Sequence, residues 1–452
     1  MIIKRTSTVK QSNFQQRSAP TSNSASDLLW IPSLYFAEGV PYFIVNNISV
    51  VMLSQMGVSN GQMSLFTSLL YLPWFIKPLW SPFVDILKQK RWWILSMQML
   101  MAVAFGLLAF SIPHPTLEQI SSGNTPISLF WLSLILFIVV AFASATHDIA
   151  ADGYYMLALD KTRQAGYVGF RSVFYRLSNV FCNSLLIYIV GVLESRNVSI
   201  PTAWKIIILA MAGLFGILAL YHTFTLPKVE KAESASATAK EVFREFLRTI
   251  TTFFKKAHIG LAILFMLLYR LPEAFMLKLA QPFLIGKQET GGLALSLEQY
   301  GIIYGLAGVV CLLVGGIVGG IYIAKKGLSR SLWPMALALT VPCIGYVYLS
   351  AFHPTNLYLI AVIIGIEQLG YGFGFTAYML YMMHFADGEF KTSHYAICTA
   401  FMALSMMLPG FVAGYIQEAL GYTLFFWFVM VCCSATLVVT YLVRKQLCKE
   451  EQ

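Results

Sequence analysis

The sequence predicts an all-α integral membrane protein of about twelve transmembrane helices in two six-helix halves. Three observations predict it. First, 58% of the 452 residues are hydrophobic and only 12% are charged, with a mean hydropathy of +0.68. A soluble chain cannot hide that much apolar surface and still present a charged exterior. Second, apolar runs long enough to span a bilayer recur along the chain, six before and six after a polar stretch at 227–257. Third, the net charge of +10 is confined to alternate connections. Lys4, Arg5, Lys10 and Arg17 precede the first run, and Lys88, Lys90 and Arg91 follow the second. The same side takes Lys161, Arg163, the central stretch, Lys325, Lys326, Arg330, Lys391 and the C-terminal Arg444, Lys445 and Lys449. About 23 bases fall on that side, against about three (Arg196, Lys205, Lys287) on the other, which places both termini in the cytoplasm. The basic balance is thus a topology signal, and no nucleic-acid partner is expected.

In chain order, residues 1–27 are rich in Ser, Gln, Asn and Thr and read as a disordered cytoplasmic tail without a signal sequence. The first half covers 28–226, with spans near 28–54, 61–84, 92–112, 128–152, 165–193 and 203–226. Within the linker 227–257, Phe243, Phe246, Leu247, Ile250, Phe253 and Phe254 recur at helical spacing among Lys, Arg and Glu, predicting an amphipathic helix on the cytoplasmic membrane face. The second half covers 258–445, with spans near 259–285, 297–324, 331–352, 356–385, 392–418 and 421–443, and 446–452 is a short tail. The seven cysteines have no zinc-site spacing and no paired positions in an external loop, so neither metal nor disulfide is expected. No cofactor is expected, and the protein is expected to act as a monomer.

Six spans, a charged loop and six more is the layout of the major facilitator fold, in which halves built of three-helix repeats rock about a central site. That fold demands intramembrane ionisable residues in spans 1, 4, 7 and 10. Span 1 carries Glu38, with Tyr42 and Asn46 at steps of four. Span 4 carries Asp148 and Asp152 on one face. Span 7 carries Arg270, Glu273, Lys278 and Gln281, and span 10 carries Glu367, Gln368, Tyr371 and Tyr378. A carboxylate facing lipid is costly, so Asp148, Asp152, Glu38 and Glu367 are proton-coupling candidates. Span 5 adds a polar stripe of Arg176, Asn179 and Asn183, with Arg171 either snorkelling to the interface or functional. Tyr42, Asn46, Arg176, Asn179, Arg270, Glu273, Lys278, Gln281, Gln368, Tyr371 and Tyr378 form the expected substrate-binding set. Arg176 and Lys278 are expected to hold an anionic cargo from opposite halves, and Asp148 or Asp152 remain possible partners for Arg176. Between spans 2 and 3, Lys77, Asp85, Lys88, Lys90 and Arg91 form an acid-and-base group expected to hold the cytoplasmic side shut. Pro41 and Pro272, and the run Gly370-Tyr-Gly-Phe-Gly374, are expected to bend helices or let them pack closely.

Several motifs go further. Lys77-x-Leu-Trp-Ser-Pro-x-x-Asp85, His147-Asp148-Ile-x-x-Asp152, Tyr175-Arg176-Leu177, Leu268-Tyr-Arg-Leu, Glu367-x-x-x-Tyr-Gly-x-Gly-x-x-Ala and Val412-Ala-Gly-Tyr-Ile-x-Glu418 together resemble the AmpG-type muropeptide permease family of the major facilitator superfamily. That wider family includes acetyl-CoA transporters. The resemblance implies proton-driven import of muropeptides, or of a related amino-sugar glycan fragment, across a bacterial inner membrane. His147, Gly153 and Glu38 depart from the permease pattern, and Asp152-Gly153 is nearer the acetyl-CoA transporter pattern. An acetyl-CoA, CoA-ester or other organic-anion transporter is therefore the alternative. A membrane-embedded transferase has only His147 beside Asp148 to offer. Adjacent helical residues do not face each other, and no nucleophile elbow accompanies them, so no catalytic residue is expected.

Overall fold

A computed structural model describes residues 24–228, 239–388 and 390–450. The N-terminal tail expected over 1–27 falls mostly outside the described residues, as does much of the linker before Ala239. Ten described helices are long and apolar enough to cross a membrane. One of them, Lys391–Lys449, is two helices merged across Gly421. A further crossing is broken into Asn60–Leu69 and Leu72–Ile86. Twelve crossings result, as the hydropathy pattern predicts.

The spans in order are Ser26–Gln55, the broken second span, Lys90–Ser111, Ile127–Ala158, Thr162–Ser195 and Ile200–Thr225. After the linker helix Ala239–Phe254 come Ile259–Ile285, Leu297–Lys326, Leu328–Phe352 and Leu357–Phe385, then the merged pair. The end of the bundle where span 1 begins and span 12 ends is called here the terminal end, and the opposite end the distal end. The last helix continues to Glu450, past the boundary at 445 that the sequence suggests.

Prolines set the breaks. Pro73 and Pro272 have no N–H to give to Leu69 and Leu268, four residues earlier, and the helices part at 70–71 and at 269–270. Arg270 and Glu273 flank the second of these breaks. Three spans contain π turns, at Ile44–Ile48, Phe181–Leu186 and Gly301–Gly308. Distal helix starts are capped by their own side chains: Ser59 accepts from the Gln62 amide and Ser296 forms a capping box with Gln299.

The glycine run of span 10 is a packing device. A Cβ on Gly370 would strike the Ala338 carbonyl, on Gly372 the Leu312 carbonyl, and on Gly374 the Met335 carbonyl and the Leu339 side chain. Spans 8 and 9 thus lie backbone-close against it.

The linker helix does more than rest on a membrane face. Phe253 is fully buried, with its ring 5.7 Å from Phe385 and 5.5 Å from His394. Thr252 Oγ1 lies 3.2 Å from His394 Nε2, and Lys256 Nζ donates to the Phe385 and Asp387 carbonyls at 2.7 and 2.6 Å. The apolar face therefore caps the terminal ends of spans 10 and 11, while Leu247 and Phe254 stay exposed.

Candidate functional site

Two acid–base clusters lie inside the bundle, one in each half. In the first half, Asp148 and Asp152 share one face of span 4, as their spacing requires. Their partners are not Arg176. Lys77 Nζ lies 3.6 Å from Asp148 Oδ2, and the Trp74 indole N–H donates to the same oxygen at 3.1 Å. The Arg171 guanidinium binds Asp152 Oδ1 at 2.5 Å, and the Tyr35 hydroxyl donates to that oxygen at 3.4 Å. Arg171 also lies over the Tyr35 ring at 4.6 Å and the Tyr155 ring at 5.5 Å. Both ends of the Arg171–Asp152 pair are partly exposed, at 32% and 40%. Glu38 is buried beside them, and its Oε2 has no hydrogen-bond partner among the described residues.

In the second half, Arg270 donates to both Glu273 oxygens, at 2.8 and 2.5 Å, and to the Tyr371 hydroxyl at 3.1 Å. Its guanidinium lies over Phe375 at 4.7 Å and Tyr378 at 5.6 Å. Glu367 accepts from its neighbour Gln368 at 2.8 Å. Glu273, Tyr304, Tyr346, Glu367, Gln368 and Tyr371 line one small cavity.

Between the halves, Lys278 crosses to span 2. It donates to Thr67 Oγ1 at 3.0 Å and lies 5.1 Å from the Tyr71 ring centre. Tyr42 packs edge-on against Trp74 at 5.0 Å and joins a cluster of Tyr71, Ala274, Met406 and Met407 drawn from both halves.

These distances place the expected site residues. Lys77 lies against Asp148. Arg171 is an ion-pair partner rather than a snorkelling base. Arg176 is exposed, and its guanidinium approaches Gly316 rather than either aspartate. Lys278, almost fully buried, joins the seam between halves instead of standing free for cargo. Tyr378 is fully buried, and its hydroxyl is committed to the Met266 carbonyl at 2.7 Å. Asn46 gives its amide to the Tyr42 carbonyl at 3.0 Å, and Asn179 accepts from Asn183 at 2.6 Å. Gln281 is buried with Oε1 unpartnered among the described residues.

The bases of the expected gate have neighbours of their own. Arg91 donates to the Thr223 and Leu226 carbonyls at 2.5 and 3.2 Å, tying span 3 to span 6 within one half. Lys90 is buried against Gly153, and Lys88 lies 5.9 Å from the Trp92 ring centre. The Asp85 side chain lies outside the described residues. A clear latch between halves stands instead at the distal end. The Asn60 amide donates to Gln417 at 2.7 Å and to the Tyr422 hydroxyl at 2.9 Å, while the Gly61 N–H donates to Glu418 at 2.7 Å. Glu418 thereby meets the positive N-terminus of a helix in the other half. Ser64 donates to the Gly410 carbonyl one turn deeper. This latch borders a distal cavity of about 1010 Å³.

Trp74, Tyr35, Thr67 and Tyr71 were not singled out by sequence. Trp74 stands three residues before Lys77, so both reach one neighbour, and that spacing is the signal available. His147 faces away from Asp148. A buried chain runs Ser33–His222–Gln98–His147, with steps of 2.9, 3.0 and 3.0 Å. It ties spans 1, 3, 4 and 6 together.

Tyr378→Phe tests one reassignment. The lost hydrogen bond strands a buried carbonyl, and a stability loss of about 1–2 kcal/mol is expected, with transport constants unchanged. A raised KM with unaltered melting would return Tyr378 to the binding surface.

The sequence and fold were compared with known proteins. The family model described as Major Facilitator Superfamily matches residues 33–397. The anhydromuropeptide permease of Escherichia coli K12 is 24% identical over 421 residues, covering 92% of this chain and 79% of that protein. A Rickettsia felis protein named putative transporter AmpG 4 is 23% identical, covering 91% and 95%. Among solved structures, an inward-facing bacterial homologue of the human lysosomal transporter Spinster superposes with a TM-score of 0.65 at 13% identity. It covers 95% of this chain and 98% of that one.

Proposed function

The chain belongs to the major facilitator superfamily, with AmpG-type permeases among its relatives, and from that premise we propose that this transporter is a proton-coupled symporter. Its cargo is a muropeptide or a related amino-sugar glycan fragment, imported by alternating access across a bacterial inner membrane with both termini in the cytoplasm. The two six-helix halves, 28–226 and 258–445, are the moving units, and one copy suffices for transport. The permease relatives support the cargo class. The observation that carries the coupling is the pair of carboxylates on one face of span 4, each held by a base from another span and one of them partly exposed. Glu38 and Glu367 accept no hydrogen bond from a cation among the described residues, so they are further groups on which a proton can ride. Tyr42, Trp74 and Tyr371 supply ring faces and hydroxyls suited to a sugar.

One proton entering down 100 mV supplies about 2.3 kcal/mol, enough for roughly fifty-fold accumulation. In proteoliposomes loaded and bathed with anhydromuropeptide, Asp148→Asn is expected to abolish uphill uptake while sparing one-for-one exchange. A mutant that still concentrates cargo normally under a proton gradient removes Asp148 from the coupling.

A further inference from the structure

The bases inside the spans are not equivalent. Arg270 is nearly buried and saturated by Glu273 and Tyr371. Lys278 is buried and committed to Thr67 across the seam. Lys77 stands 3.6 Å from Asp148 on a carboxylate that Trp74 also holds. Arg171 combines three features. It is partly exposed, it is flanked by the faces of Tyr35 and Tyr155, and it already carries a carboxylate at hydrogen-bond distance. Arg171 is therefore shaped and placed to bind a carboxylate, and Asp152 shows where one sits.

The charges around it close the argument. Glu38 from span 1, Asp148 and Asp152 from span 4, Lys77 from span 2 and Arg171 from span 5 interact electrostatically, with Tyr395 of span 11 reaching Arg171 and Asp152 from the other half. Among these groups three carboxyls face two bases. A fourth carboxylate entering this group needs a compensating positive charge, and a proton is the one at hand.

We infer that Arg171 is the receptor for a carboxylate on the cargo, and that the cargo takes it by exchange with Asp152. In the exchange the Arg171–Asp152 hydrogen bonds break and Arg171–cargo hydrogen bonds form. The displaced Asp152 carboxylate, left beside Glu38, takes one proton from water and becomes a neutral acid. Cargo anion and proton are thus bound together. This deepens the proposed amino-sugar symport and rests on it.

The test uses the purified full-length protein in lipid nanodiscs and two probes, N-acetylmuramic acid and its methyl ester, which differ only in the free carboxylate. Titration calorimetry in buffers of different ionisation enthalpy gives both the affinity and the protons taken up. The wild type is expected to prefer the acid and to take up a proton with it, but not with the ester. Arg171→Lys is expected to weaken acid binding about ten- to hundredfold and leave ester binding unchanged. Asp152→Asn removes the competing carboxylate, so it is expected to bind the acid about tenfold more tightly and without proton uptake. A structural ion pair would lose affinity in both variants. Equal affinity for acid and ester in the wild type, an Arg171→Lys protein that keeps the preference, or an Asp152→Asn protein that binds more weakly overturns the assignment alone. Failure of the wild type to bind either probe overturns the amino-sugar reading, and the assignment falls with it.

Discussion

Replacing Gly305 by valine is expected to stop transport. A Cβ at this position would meet the Asn183 carbonyl and the Ser184 Cα, all backbone, so no side chain can swing aside. Gly305 belongs to a line of small residues through which spans 5 and 8 touch at the distal end. Gly301 approaches the Ser184 carbonyl, and Gly191 approaches Leu297 and Glu298. Spans 2 and 11 repeat the arrangement, with Gly414 against the Asn60 carbonyl. In the proposed alternating access these contacts part when the distal side opens. Overpacking costs about 1–3 kcal/mol, which lowers the closed population by a factor of roughly 5 to 150. Gly305→Val should therefore lose both uphill uptake and exchange. It should also raise labelling of a cysteine placed at Ser54, in the distal cavity, by an impermeant maleimide. Gly216→Val is the control, because a Cβ there meets nothing within 4 Å. Wild-type labelling and turnover in Gly305→Val would mean that this seam does not open during the cycle.

The second large effect is on stability. Arg270 and Glu273 are 6% and 5% exposed and joined by two hydrogen bonds. Glu273→Gln leaves a guanidinium uncompensated in a dry site, and a loss of about 3–5 kcal/mol is expected. The double variant Arg270→Met/Glu273→Leu buries no charge and should recover most of that loss. Thermal unfolding in detergent measures both. A Glu273→Gln protein as stable as wild type would show that the charge is compensated from elsewhere. A double variant that is stable yet unable to bind cargo would give Arg270 a direct role at the substrate.

Much of this arrangement is legible in the sequence, and the illegible parts share a cause. Helix positions follow from hydropathy, and the breaks at Pro73 and Pro272 follow from a missing N–H. That Asp148 and Asp152 share a face follows from helical pitch. Which base meets which acid does not follow. Arg171 and Arg176 lie five residues apart, about 140° around the helix, and the rotation of span 5 decides which one faces span 4. Sequence periodicity selects Arg176 because Asn179 and Asn183 extend its stripe. The structure spends those amides on each other and on Asn47, and turns Arg171 to Asp152. Lys278 is a similar case. Its face is predictable, but its partner Thr67 is 211 residues away in a helix of the other half. The distal latch was missed because Asn60, Gly61, Gln417 and Glu418 look like ordinary helix-end residues until the two halves are brought together.

The joint at Gly421 bears on how the membrane orientation can be read out. Spans 11 and 12 meet through this residue, held at φ 73°, a conformation that side-chain-bearing residues adopt at a cost. A reporter sequence spliced in there would pry apart two helices that the chain holds end to end, and a silent fusion would say nothing about sidedness. The distal connection between spans 3 and 4 is the opposite case. Its short helix Leu117–Ser122 has no buried residue, and Leu117 is 86% exposed. An epitope inserted beside Pro115 should leave folding intact and report directly, by antibody access in whole cells, which compartment the distal end faces.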